Sequence, residues 1–186
     1  KGGLGIEAAL GLGAAQVTAV EANPLIIEAS TDAYHQTGVQ LIRSSGRSYL
    51  RGVQGGYDIV QVPLTDSYHP VSSGAYALGE DFRYTVEAVE DMLLALKPDG
   101  LLVITRWLQE EPTEWLRTFA LAVTALEAQG LDPMERIVAL RSYNTGTLLI
   151  QSRPFSSEEL AQIRGFAKVR AFDLVFGPGI TLEDLN

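Results

Sequence analysis

Apolar and polar positions alternate along the chain in two rhythms, one helical and one strand-like. Residues 6–12 carry Ile, Ala and Leu at helical spacing, and Gly13 is a natural stop. Val17-Thr18-Ala19-Val20 is a short run of buried-strand type, ended by Glu21. Pro24 suits the first turn of a helix reaching His35, where its missing N–H has no intrahelical partner to lose. Gly38 breaks the chain before a strand over 39–43, and a short helical turn follows Ser44-Ser45-Gly46-Arg47. Residues 57–62 predict a strand stopped by Pro63, and a long polar loop runs from about 64 to 80. Loops of that length inside a compact domain are usually functional. Residues 82–96 predict an amphipathic helix with Val86, Val89, Leu93 and Leu96 on one side. Lys97-Pro98-Asp99-Gly100 predicts a turn, 101–105 an apolar strand, and 112–129 a helix closed by Gly130. Strands at 137–140 and 147–150 flank a hairpin turn at Asn144-Thr145-Gly146. Ser156 with Glu159 three residues on reads as a capping box, and 169–176 as a last strand.

Short apolar strands alternating with helices indicate an α/β fold: a mostly parallel, Rossmann-like sheet with helices on both faces. The C-terminal hairpin adds an antiparallel strand at one edge. The chain of 186 residues is 46% hydrophobic and 20% charged, which permits a packed core and argues against disorder. Its net charge of −9 is a poor match for nucleic acid or an anionic membrane, and would tolerate a cationic small molecule. With no cysteine and only His35 and His69, thiolate catalysis is excluded and no metal is expected. No stretch approaches the length of a membrane span and no signal peptide is visible, so a cytoplasmic location is expected for these residues.

Gly3-Leu4-Gly5-Ile6-Glu7-Ala8 fits the pattern G-x-G-x-x-A, and Glu21 lies 18 residues after Gly3 at the end of the next strand. In open α/β sheets that arrangement places a nucleoside ligand at the carboxyl ends of the strands. Glycine lets the ligand approach the backbone, and the acid accepts hydrogen bonds from the ribose hydroxyls. A dinucleotide and S-adenosylmethionine share this geometry.

The order and spacing of several segments resemble the spermidine synthase-like branch of the class I methyltransferase superfamily. They are Gly2-Gly3-Leu4-Gly5, Val20-Glu21-Ala22-Asn23-Pro24, Gly46-Arg47-Ser48-Tyr49-Leu50, Tyr57-Asp58-Ile59-Val60, Leu64-Thr65-Asp66-Ser67, Ser73-Gly74-Ala75-Tyr76-Ala77-Leu78 and Leu96-Lys97-Pro98-Asp99-Gly100. The 65–81 loop and Arg153-Pro154-Phe155 look closest to domains of this kind that occur fused to membrane segments.

The resemblance implies a transferase using S-adenosylmethionine, or its decarboxylated form, as cosubstrate. It implies a cofactor site at Gly2, Gly3, Gly5, Glu21, Ser45, Gly46 and Leu64, with Asp66 facing the acceptor. The implied partner is a small-molecule acceptor, a cationic amine among the candidates, and a homodimer is a candidate assembly. Two positions depart from the family pattern. Ser45 stands where an acid usually contacts the adenine amino group. Pro63 replaces the first of two acids that hold a polyamine, and proline can neither bind an amine nor take its proton. Putrescine aminopropyl transfer is therefore not expected. A non-catalytic nucleoside-binding module and a small-molecule methyltransferase are the alternatives. Because the sequence begins inside the glycine loop, residues 1–186 are expected to be one domain of a longer chain, whose first strand precedes Lys1.

Overall fold

The computed structural model describes residues 3–64, 83–108 and 113–184. The chain divides into two compact units, Lys1–Val53 and Gln54–Asn186.

In the first unit, strands β1 (Val17–Val20) and β2 (Val39–Ile42) pair in parallel, Val17 opposite Val39 and Val20 opposite Ile42. Alternation puts Val17, Ala19, Val39 and Leu41 on one face. They pack with Ile6 of α1 (Leu4–Gly11), Ile27 of α2 (Pro24–Ala29), and Ala33 and Tyr34 of α3 (Thr31–Tyr34). Helix α1 stops as expected: Gly13 adopts φ +94° and its N–H donates to the Leu10 carbonyl at 3.0 Å. The single helix expected over 24–35 is instead two. Ser30 leaves helical geometry at φ −131°, and the Thr31 hydroxyl donates to the Ile27 and Glu28 carbonyls at 3.3 and 2.9 Å. Hydroxyl side chains of this kind compete with the backbone ladder. A short helix α4 (Gly46–Leu50) follows β2.

The second unit holds five strands in the order β3-β4-β6-β5-β7: β3 (Tyr57–Val62), β4 (Leu96–Trp107), β5 (Ile137–Arg141), β6 (Thr145–Ile150) and β7 (Asp173–Phe176). The β3–β4 pair is parallel; β6 is antiparallel to β4 and β5, and β7 to β5. Strands β3, β4 and β5 thus run one way, and β6 and β7 the other. Helices α5 (Val86–Leu94) and α6 (Thr113–Ala128) pack on β4, whose Leu102, Ile104 and Arg106 are buried. Leu101 and Leu149 point the other way and join Val138, Leu140, Leu174 and Ala167, the last from α7 (Ser157–Arg170). Among the described residues, β1 is hydrogen-bonded only to β2, and β3 only to β4.

Three expectations need correction. Lys97-Pro98-Asp99-Gly100 is not a free turn but part of β4. Tyr57 faces Leu96 while Ile59 faces Leu101, so the extra residues form a bulge that accommodates proline's missing donor. The Lys97 ammonium reaches the Asp58 carboxylate at 2.8 Å across it, holding that carboxyl below its usual range. The hairpin turn lies two residues earlier, at 142–144, with Ser142 N–H donating to the Thr145 carbonyl at 2.8 Å, and Thr145 and Gly146 already in β6. The hairpin is also internal, because β7 rather than β6 forms the far edge. Finally, Val169 and Arg170 end α7, Ala171 closes it at φ 52°, and β7 begins only at Asp173.

The capping box is present. Ser156 Oγ accepts from Glu159 N–H at 3.2 Å, and Glu159 Oε2 accepts from Ser156 N–H at 2.8 Å. The Arg153 guanidinium also grips Glu159, its nearer contact at 2.7 Å. Arg153 first, and the Ser156 N–H with it, hold the Glu159 carboxyl well below the carboxylate range. A carboxyl depressed in the folded state stabilises above its unfolded pKa of about 4.3, and that stabilisation is lost as pH falls. Glu159→Gln should therefore cost about 1 kcal/mol at pH 7, a deficit that shrinks steadily below pH ~4. Thermal melts across that range check this; an equal deficit at every pH would mean that the charge contributes nothing.

Candidate functional site

The glycine loop and Glu21 belong to the first unit. Gly3 is the residue before α1 and adopts φ +89°. It is buried, and a Cβ there would collide with Ala33 Cβ. Glycine is thus required at position 3 by the close approach of α1 and α3, independently of any ligand. Gly5 is different: it is exposed and a Cβ there would meet nothing within 4 Å. The N–H groups of the first turn of α1 point out from this end, where an electronegative ligand group is favoured.

Glu21 follows β1, and its N–H donates to the Ile42 carbonyl at 3.0 Å, extending the parallel ladder by one step. Its carboxylate Oε1 accepts from Asn23 N–H at 2.8 Å, while Asn23 Oδ1 caps α2 by accepting from Leu25 N–H at 3.0 Å. The Val20-Glu21-Ala22-Asn23-Pro24 run therefore fixes the acid as part of a strand-to-helix turn and leaves its other oxygen without a partner among the described residues. Burial first, and the Glu21 charge second, raise the Tyr34 hydroxyl pKa. Tyr34 thus lies within electrostatic reach of the acid. Sequence reasoning passed it over, because a tyrosine near a helix end gives no signal of what it faces.

Ser45 lies at the carboxyl end of β2 and caps α4. Its Oγ accepts from Ser48 N–H at 3.1 Å and donates to Ser48 Oγ at 2.7 Å. Its single hydrogen is thus committed, and one oxygen lone pair remains for an outside donor. Gly46 opens α4 with no neighbour where a Cβ would stand. Leu64 is half-buried just past β3. Gly2 and the expected acceptor-facing Asp66 lie outside the described residues, as does most of the 64–80 loop. Among the described residues no group of His, Asp and Glu gathers to hold a metal, and no helix is long and apolar enough to cross a membrane.

The second unit carries a polar cluster at the carboxyl end of β4 that the sequence did not announce. Arg106 is 7% exposed in an otherwise apolar face. Its guanidinium stacks over the Tyr84 ring at 3.8 Å from the centroid and meets Glu114 of α6 at 3.0 Å. Its cross-strand partner on β6 is Gly146, which in turn faces Arg141 on β5. The missing side chain at Gly146 is the seat of the Trp115 indole, which lies well inside the space a Cβ would occupy. Trp115 stacks on Phe119 at 5.9 Å, and Phe119 meets Phe176 edge-on at 4.9 Å. Gly146→Ala should therefore displace a rigid ring rather than a flexible tip and cost about 1–3 kcal/mol. Chemical denaturation with Trp fluorescence is the measurement; an unchanged midpoint would show that the indole moves freely.

No protein-family model and no curated protein matches this sequence. Solved structures do. A probable spermidine synthase from Corynebacterium glutamicum superposes with a TM-score of 0.60 at 16% identity, over 84% of this chain and 56% of that one. A spermidine synthase in complex with the transition state analogue AdoDATO gives 0.57 at 16% identity, over 85% and 54%. The fold is that of the spermidine synthases and class I methyltransferases. Human methyltransferase-like protein 13 in complex with SAH shares it, with a TM-score of 0.54 at 12% identity, over 91% of this chain and 77% of that one. The chain spans only about half the length of the spermidine synthases it matches. The resemblance read from Gly2-Gly3-Leu4-Gly5 through Leu96-Lys97-Pro98-Asp99-Gly100 thus agrees with the architecture. Identities this low carry the fold and leave substrate and activity to be argued from the residues.

Proposed function

We propose that this chain is a spermidine synthase-like transferase domain. It binds S-adenosylmethionine or its decarboxylated form and passes an alkyl group to a small acceptor. The observation that supports this reading best is Glu21: a carboxylate at the carboxyl end of β1, oriented by Asn23 N–H and with one oxygen to spare, in a fold where nucleosides bind at strand carboxyl ends. That oxygen suits a ribose hydroxyl. The open backbone at Gly5 and Gly46 admits a ligand where any side chain would obstruct it, and the spare lone pair of Ser45 suits an adenine amino group. Bound, the cosubstrate would supply an alkyl carbon activated by a sulfonium leaving group. The protein's task is then chiefly alignment, with Asp66 the proposed group facing the acceptor.

A second reading, a nucleoside-binding module without catalysis, draws support from Ser45 serving as a helix cap and from Pro63 in place of an acid. Calorimetric titration with S-adenosylmethionine, its decarboxylated form, methylthioadenosine and NAD tests both. Binding of the adenosyl thioether and sulfonium ligands is expected. Binding of NAD alone, or of none, would overturn the transferase reading. Binding without turnover of any amine, carboxylate or hydroxyl acceptor would select the module.

A further inference from the structure

We draw no further inference here: the strongest candidate, the outer edge of β3, where Ile59 stands 60% exposed and the strand is hydrogen-bonded only to β4 among the described residues, carries no proposal because nothing in the structure shows what covers it.

Discussion

Gly3→Ala is expected to destabilise the first unit by about 2–5 kcal/mol. Two independent costs add. Residue 3 sits at φ +89°, and an L-residue forced into left-handed geometry loses roughly 1–2 kcal/mol. The new Cβ would also overlap Ala33 Cβ, an atom fixed to the backbone of α3, so the two helices must move apart. Overpacking of that kind costs about 1–3 kcal/mol. The measurement is hydrogen exchange of the β1 and β2 amides, which report the opening of this unit, with the β4 and β6 amides as an internal reference. The pair Gly3→Ala with Ala33→Gly separates the causes: it should recover the overlap and leave the backbone cost and the glycine penalty in α3. A Gly3→Ala protein with unchanged exchange would mean that this end of α1 is not held as the structure shows.

Glu21→Ala should weaken binding of adenosyl ligands by about 1.5–3 kcal/mol, roughly tenfold to a hundredfold, because hydrogen bonds to a charged acceptor are lost. Its effect on folding should be smaller. The carboxylate is half-buried at a turn, its Asn23 contact is at the surface, and α2 keeps its Asn23 cap. Titration with methylthioadenosine alongside a thermal melt reads both quantities. Equal losses in affinity and stability, or an unchanged dissociation constant, would reduce Glu21 to a strand end.

The mismatches between sequence and structure follow from the reach of each signal. Gly13, Gly130 and the Ser156–Glu159 box were legible because a cap or a positive φ is a property of a few adjacent residues. The break at Ser30 was not, since hydroxyl residues such as Ser30 and Thr31 also occur inside unbroken helices, and only the structure shows the Thr31 hydroxyl turned onto the Ile27 and Glu28 carbonyls. The bulge at Lys97-Pro98-Asp99-Gly100 has the composition of a turn. Only the pairing of Tyr57 with Leu96, and the Lys97–Asp58 contact across 39 residues, reveals that it lies within a strand.

The sequence by itself determined the alternation of elements, their caps, the placement of Glu21 one step past a strand, and a resemblance assembled from seven short segments. These depend on local periodicity and on spacing counted along the chain. Tertiary structure alone decided which groups share a neighbourhood. It brought Ala33 against Gly3, set the hairpin inside the sheet with β7 at its edge, and gathered Tyr84, Arg106, Trp115 and Gly146 from four segments. Strand order and helix packing are non-local. They are fixed by which apolar faces can be buried together, and a buried arginine gives no periodic signal in the chain until its cross-strand and overlying neighbours are known.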